Sequence, residues 1–254
     1  MKIIVCCKAV PGLASNIAVS ADGMSLVHDS QFQGINECDE SALEEAVVLK
    51  RQHGGEVTAL TIGTLTTQDI LYLALAKGAD QAVRVDARPG DPQSTAIVLA
   101  AALKTLGGDL VLTGTQSRDT LAGSVGITAA VRLGLPFAYA VTKIEKDGDG
   151  IMVRKELGGG RFADVKLPLP ALLCVQTGIQ PLTFVPPARL LRARQQRPKA
   201  LSLADLGLDE AVVAPTGFRI SKVFPPVRAS RVTFIEGSAP EIAAAVMTKI
   251  REAL

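Results

Sequence analysis

The sequence predicts an α/β protein: a doubly wound, mostly parallel sheet with an antiparallel add-on and a C-terminal arm. Three observations lead there. Short β-branched apolar runs alternate with helical stretches long enough to cross between parallel strands. The apolar content is 48%, yet aromatics make up 4% and Trp is absent. Ala, Val, Leu and Ile therefore supply the core, as in helices packed on both faces of a parallel sheet. After Pro136 the alternation gives way to strand runs separated by the glycine turns DGDG and GGG, which is hairpin chemistry.

The elements follow in order. KIIVCCKAV (2–10) reads as the first strand. NECDESALEEAVVLKRQHGG (36–55) reads as a helix, with Ala42, Leu43, Ala46, Val47 and Leu49 as its apolar stripe. Glu44, Glu45, Lys50 and Arg51 are expected on its wet side. Acids gather at its start and bases at its end, as the helix dipole favours, and Gly54-Gly55 stops it. EVTALTIG (56–63) is the next strand, TQDILYLALAKGAD (67–80) a helix ended by Gly78, and QAVRVD (81–86) a short strand. DPQSTAIVLAAALKTLG (91–107) is a helix entered through Asp91-Pro92. DLVLTG is a buried strand, and ITAAVRLGLP is a packed helix. ALLCVQT returns to the core after the hairpins. Residues 1–178 are expected to form the α/β domain. Residues 179–254 are expected to form an arm that packs on another subunit, because so long and sparse a trailing segment has little of its own to bury.

Composition narrows the function classes. A chain of 254 residues with net charge +2 and 20% charged residues is an ordinary globular profile. The opening apolar run is too short for a signal peptide and Lys8 interrupts it, and no stretch approaches a membrane span. The cytoplasm, or an organelle matrix after import, is the expected compartment. Cys6 and Cys7 point to opposite faces of one strand, which makes them a poor disulfide pair. With no CxxC, and His28 and His53 far apart, no metal site is expected. No GxSxG, HExxH or Cys–His pair supplies a catalytic constellation. Arg189, Arg192, Arg194, Arg197 and Lys199 form a basic stretch. It reads as a solvated tether or as a contact for an acidic partner. No aromatics interleave for stacking, which argues against nucleic acid.

The chemistry gathers at strand ends, where open α/β sheets bind ligands. Lys8 follows strand one, Ile62-Gly63 follow EVTALT, and GTQSRDTLAGSVG (114–126) follows DLVLT. A glycine- and hydroxyl-rich turn into a helix start offers unpaired N–H groups and a positive dipole end, an anion site. Gly123, Ser124, Val125 and Gly126 are the expected close-approach segment. The alternative is that Asp119-Thr120 merely initiate a turn or cap the helix. Asp119 suits a sugar hydroxyl or the loop's own amides better than a phosphate. Asn36 and Asp39 either cap the helix they precede or read a base or ribose, and Lys8 is either a solvated charge or a phosphate partner. Neither GxGxxG nor GxxxxGK[ST] is present.

VCCKAV, NECDESALEEAVVLK, TALTIG with LALAKGADQAVRV, LVLTGTQSRDTLAGSVG, VRKELGGGRFADVKLPLPALL and RLLRARQQRPK before SLADLGL occur in that order over nearly the whole chain. The ordered set resembles the small (beta) subunit of the electron transfer flavoproteins. The resemblance implies an adenine nucleotide alpha-hydrolase-like fold and a heterodimer with a large (alpha) subunit that holds most of a shared FAD. It also implies an AMP, or a second FAD, buried in the beta subunit. Electrons then pass from a flavin dehydrogenase, NADH or ferredoxin to an acceptor such as a quinone reductase. By position, the nucleotide site would comprise Cys6 and Lys8; Asn36, Glu37, Cys38 and Asp39; Ile62; and the phosphate loop with Gly114, Gln116, Asp119, Gly123, Ser124 and Val125. Where the family usually has Asn-Pro this chain has Asn36-Glu37, and its QPLTFVPPARLL lacks the Arg and Tyr of the usual dehydrogenase-recognition loop. A stand-alone nucleotide-binding regulator of the universal-stress type is the alternative, although the long arm argues against it.

Overall fold

The computed structural model describes residues 1–12, 17–28, 33–217, 220–225 and 232–253. In chain order the strands are β1 (Lys2–Cys6), β2 (Ala9–Pro11), β3 (Ile17–Val19), β4 (Leu26–His28), β5 (Gln33–Ile35), β6 (Glu56–Ile62), β7 (Gln81–Val85), β8 (Leu110–Gly114), β9 (Phe137–Asp147), β10 (Gly150–Gly158), β11 (Arg161–Pro168), β12 (Ala171–Val175) and β13 (Lys199–Leu201). The helices are α1 (Glu37–His53), α2 (Gln68–Lys77), α3 (Pro92–Leu106), α4 (Val125–Leu133), α5 (Pro187–Ala193) and α6 (Ala239–Ala253).

One sheet runs β11-β10-β9-β12-β8-β1-β6-β7-β13. Every pairing from β9 to β13 is parallel, and β10 and β11 extend it antiparallel. The chain steps outward from β1 to β6 and β7, and α3 then carries it back to β8 on the other flank of β1. Strand order therefore reverses between β1 and β8.

The alternation of side chains along β1 explains the two layers. Ile3, Val5 and Cys7 join one core with Leu43 of α1 and Leu71 of α2. Ile4 joins a second core with Val98 and Leu99 of α3 and Ala129 of α4, and Cys6 packs against it. Each fully buried Leu or Ile contributes about 1.5–3 kcal/mol of apolar burial. The expected doubly wound sheet and its hairpin add-on are the observed ones. At the end of α2, Gly78 adopts φ +125°, with Val47 3.3 Å from where a Cβ would stand. The position requires glycine both for its left-handed conformation and for the close approach of α1.

Three local expectations change. The first strand stops at Cys6 rather than Val10, because the Lys8 N–H turns away to a carboxylate and β2 pairs with β5 instead. Asp39 does not cap α1; Asn36 is the N-cap residue and Asp39 lies inside the first turn. Glu44 and Glu45 are not on a wet face but buried, at 5% and 3% exposure. The reason is tertiary: residues 180–183 lie on this side of α1. Glu44 accepts hydrogen bonds from the Thr183 N–H at 2.8 Å and its hydroxyl at 2.9 Å, and Glu45 accepts one from Gln180 at 2.8 Å. Lys77 completes the cluster, with Nζ 2.6 Å from Glu44, 2.9 Å from Glu40 and 2.8 Å from the Thr183 carbonyl.

Beyond residue 178 the chain first returns to the body. α5 packs on α2, β13 extends the sheet beside β7, and a 3-10 turn at Glu210–Val213 packs on α3. Among the described residues from 220 onward none is buried, including all of α6.

Candidate functional site

The carboxyl ends of β1 and β8 are stapled together by one side chain. Asp39 Oδ2 accepts the Lys8 N–H at 2.9 Å and Oδ1 accepts the Gly114 N–H at 2.8 Å. Burial pushes its carboxyl up to about 6, against the opposing pull of the hydrogen bonds from Lys8 and Gly114. The fit is close: a Cβ at Gly114 would stand 2.3 Å from Asp39 Oδ1 and 2.6 Å from Cys38 Cβ. Glycine is required here by the approach of α1 rather than by a left-handed turn.

Asn36 holds the loop that follows. Its Nδ2 donates to the Gln116 carbonyl at 2.8 Å, and its Oδ1 accepts the Arg118 N–H at 3.1 Å. The Arg118 guanidinium reaches the Pro11 carbonyl and, at 3.3 Å, Glu37. Lys8 Nζ lies 2.8 Å from Asp119, 3.1 Å from Ser117 Oγ and 3.4 Å from Thr120 Oγ1. Burial alone would raise the Asp119 pKa, but hydrogen bonds from Lys8 and Ser117 outweigh it and hold the carboxyl below its ordinary value.

The loop then climbs into α4. Leu121 sits at φ +53° and Gly123 at φ +60°. A leucine in the left-handed region costs on the order of 1 kcal/mol, so the surrounding contacts fix this path. Ser124 is the N-cap residue of α4 yet makes no side-chain capping bond. The first N–H groups of the helix have no intrahelical partners, and the helix begins on the carboxyl-end side of β8. A Cβ at Gly126 would come within 2.6 Å of Thr113 Oγ1 and 3.0 Å of Cys174 Sγ, so α4 starts directly against β8 and β12. Cys6, Ile62 and Val125 are half-buried along the α3/α4 side of the sheet. Burial, and secondarily the Asp39 charge, push the Cys6 thiol far up, so it is a neutral apolar surface and not a nucleophile.

A family model for the electron transfer flavoprotein domain matches residues 24–213. An electron transfer flavoprotein subunit beta of Methylophilus methylotrophus is 33% identical over 99% of this chain and 98% of its own length. This chain belongs to the electron transfer flavoprotein beta-subunit family. A subunit beta of Clostridium acetobutylicum is 30% identical over 99% of the chain and 98% of its own length. Protein FixA of Azorhizobium caulinodans is 32% identical over 98% of the chain and 94% of its own length. The stand-alone regulator accounts for none of this full-length similarity.

Seen as an electron transfer flavoprotein subunit, the chain brings Lys8, Asn36, Asp39, Gly114, Gln116 and Asp119 into one connected group. Glu37 joins through Arg118, and Cys38 through Thr115, whose hydroxyl donates to its Sγ at 3.3 Å. Cys6, Ile62 and Val125 form the apolar side, while Gly123 and Ser124 form the helix entrance. Sequence reasoning missed Arg118, Thr115 and Gln176, the last 3.2 Å from the Thr115 hydroxyl. Arg118 was readable as the cation inside the quoted loop. Gln176 carried no signal, because its role depends on β12 lying beside β8. No helix among the described residues is long and apolar enough to cross a membrane.

Proposed function

We infer that this chain is the beta subunit of a heterodimeric electron transfer flavoprotein working in the cytoplasm. It would hold an adenine nucleotide, AMP or a second FAD, in the crevice between β1 and β8. With a large (alpha) subunit and their shared FAD, it passes electrons from a flavin- or NADH-dependent donor to an acceptor such as a quinone reductase. The observation that carries this reading is the convergence at the point of strand reversal. The α4 amino terminus, the Lys8 ammonium and a loop fixed by Asn36 meet there, beside an apolar side made by Cys6, Ile62 and Val125.

Those residues suit a nucleotide. Oriented N–H groups and a lysine answer a phosphate, and the apolar side answers a ring. Asp119 already neutralises Lys8, so an incoming phosphate competes with a carboxylate for the same ammonium, and the displaced Asp119 can accept from a ribose hydroxyl. A bound flavin would supply the electron-carrying chemistry; the chain's side chains bind, orient and exclude water without making bonds. The C-terminal segment with α6, none of whose described residues from 220 onward is buried, would pack on the large subunit. The basic stretch 189–199 would face an acidic donor.

The test is to co-express the chain with a large subunit, denature the purified complex and quantify released FAD and AMP. One FAD with one AMP per heterodimer supports a shuttle in which the crevice nucleotide is structural. Two FAD and no AMP support an electron-bifurcating subunit. Neither complex nor nucleotide overturns the reading.

A further inference from the structure

A buried carboxylate ties Thr216 and Gly217 of the tail to the α/β body. Asp91 is the N-cap of α3, and the two oxygens of its side chain serve different segments. Oδ1 accepts the Ser94 N–H at 2.7 Å, while the Ser94 hydroxyl lies 3.1 Å from the Asp91 N–H, closing a capping box. Oδ2 faces the tail, where it accepts the Thr216 N–H at 2.7 Å and the Gly217 N–H at 2.6 Å. The backbone N–H of Ser94 and then that of Gly217 hold this carboxyl well below the usual range. It is therefore a charged acceptor at neutral pH, the stronger kind.

The neighbouring backbone converges on the same place. The Gly90 N–H donates to the Val213 carbonyl at 2.8 Å, and a Cβ at Gly90 would stand 2.8 Å from Pro215 Cδ. The side chains of 214–217 are exposed, so hydrophobic burial does not hold this stretch. Farther on, the Val223 N–H donates to the Gly23 carbonyl at 2.7 Å, at the turn of the β3–β4 hairpin. No described residue from 220 to 253 is buried. Ile242, Val246, Met247 and Ile250 recur along one face of α6 at helical spacing, a stripe suited to packing against another surface.

We propose that Asp91 is the positioning residue of the C-terminal arm: it fixes Thr216 and Gly217 at the root of the arm and so presents α6 to the large subunit. An unanchored tail would search a wide volume, and ordering it would cost affinity on association. Anchoring its root at α3 removes part of that cost in advance. The partner half of this proposal rests on the subunit reading above; the anchor itself does not.

The experiment compares the full chain with its Asp91→Ser and Ser94→Ala variants. Serine keeps a capping hydroxyl for α3 but lacks the second oxygen that receives Thr216 and Gly217. Ser94→Ala weakens the capping box and leaves that oxygen in place. Hydrogen exchange followed by mass spectrometry should show the Thr216 and Gly217 amides exchanging at least about tenfold faster in Asp91→Ser. Ser94→Ala should leave them at the wild-type rate. The heterodimer carrying Asp91→Ser should dissociate at least about tenfold more readily than wild type, and Ser94→Ala should not. Wild-type exchange at Thr216 and Gly217 in Asp91→Ser, or equal acceleration in both variants, overturns the anchor. Faster exchange with unchanged heterodimer affinity overturns the positioning role. If the wild-type chain pairs with no large subunit, the subunit reading and the partner half of the proposal fall together, and the exchange data still decide the anchor.

Discussion

Replacing Lys77 by methionine isolates what the buried charge cluster on α1 contributes. The lysine side chain is 2% exposed and the Glu44 side chain 6%, with Nζ 2.6 Å from Glu44 and 2.9 Å from Glu40. Burial alone would lower the Lys77 pKa, but its hydrogen bonds to Glu44 and Glu40 outweigh that and raise it. Burial would likewise raise Glu44, but Lys77 and Thr183 together bring it below its ordinary value. Both partners are thus held charged. Methionine fills the same space yet leaves Glu44 buried with the Thr183 N–H and hydroxyl as its remaining donors. Removing one member of a buried pair costs about 3 kcal/mol, which for a chain of this size lowers Tm by about 6–12 °C.

The assay is thermal unfolding of wild type, Lys77→Met, Glu44→Gln and the double variant, followed by circular dichroism. In the double variant a neutral amide at position 44 faces a thioether at position 77. No unpaired charge remains between them, so a large part of the loss should be recovered. The pH dependence has a definite sign. The Glu44 contribution is present above its unfolded pKa and is lost as pH falls through its lowered folded value. The Lys77 contribution is present below its unfolded pKa and is lost as pH rises through its raised folded value. The difference between wild type and the double variant should therefore be flat across neutral pH and fade in acid. A Tm change under about 1 °C for Lys77→Met, or strictly additive single variants, would refute the argument.

Other consequences are as direct. Asp39 has a folded pKa raised to about 6 from 3.8, so its contribution is fully present below the unfolded value and declines as pH rises to about 6. Denaturant midpoints from pH 4 to 7 should fall with that slope in wild type and not in Asp39→Asn; equal slopes would remove the assignment. Gly114→Ala forces a methyl group against Asp39 and Cys38 and should cost about 1–3 kcal/mol, with loss of retained nucleotide in the purified heterodimer. Lys8→Ala removes an exposed ion pair and should change stability by less than about 1 kcal/mol. It should nevertheless strip nucleotide in a dialysis assay, and full retention would end the phosphate role of Lys8. Neutralising Arg192 and Arg194 together should weaken association with an acidic electron donor at low salt and converge with wild type at high salt; salt-independent binding would contradict it.

Much of the fold was legible because its signals are local. The apolar stripe Ala42, Leu43, Ala46, Val47 and Leu49 lies within one helix, and all five residues are buried as its spacing requires. Gly78 ends α2 and Asp91 opens α3 through conformations and hydrogen bonds that neighbouring residues supply. The strand–turn–helix layout of 114–126 was readable for the same reason: a strand, a glycine-rich turn and a helix start are contiguous. The polar residues were legible as candidates and not as actors. Asn36 and Asp39 stood at the start of α1, where a cap and a ligand contact look alike in sequence.

By itself, then, the sequence determined the alternation of strands and helices, the antiparallel add-on, the family and the location of the loop. Tertiary structure decided what the polar side chains do beyond local caps. Asp39 reaches Lys8 and Gly114, 31 and 75 residues away. Glu44, placed by pattern on a wet face, meets Thr183, 139 residues away. Asp91 holds the tail across 125 residues. Periodicity reports which face of an element is apolar. A polar group's fate depends on which distant backbone arrives over it, because a buried carboxylate is tolerated only where donors replace the water it has lost.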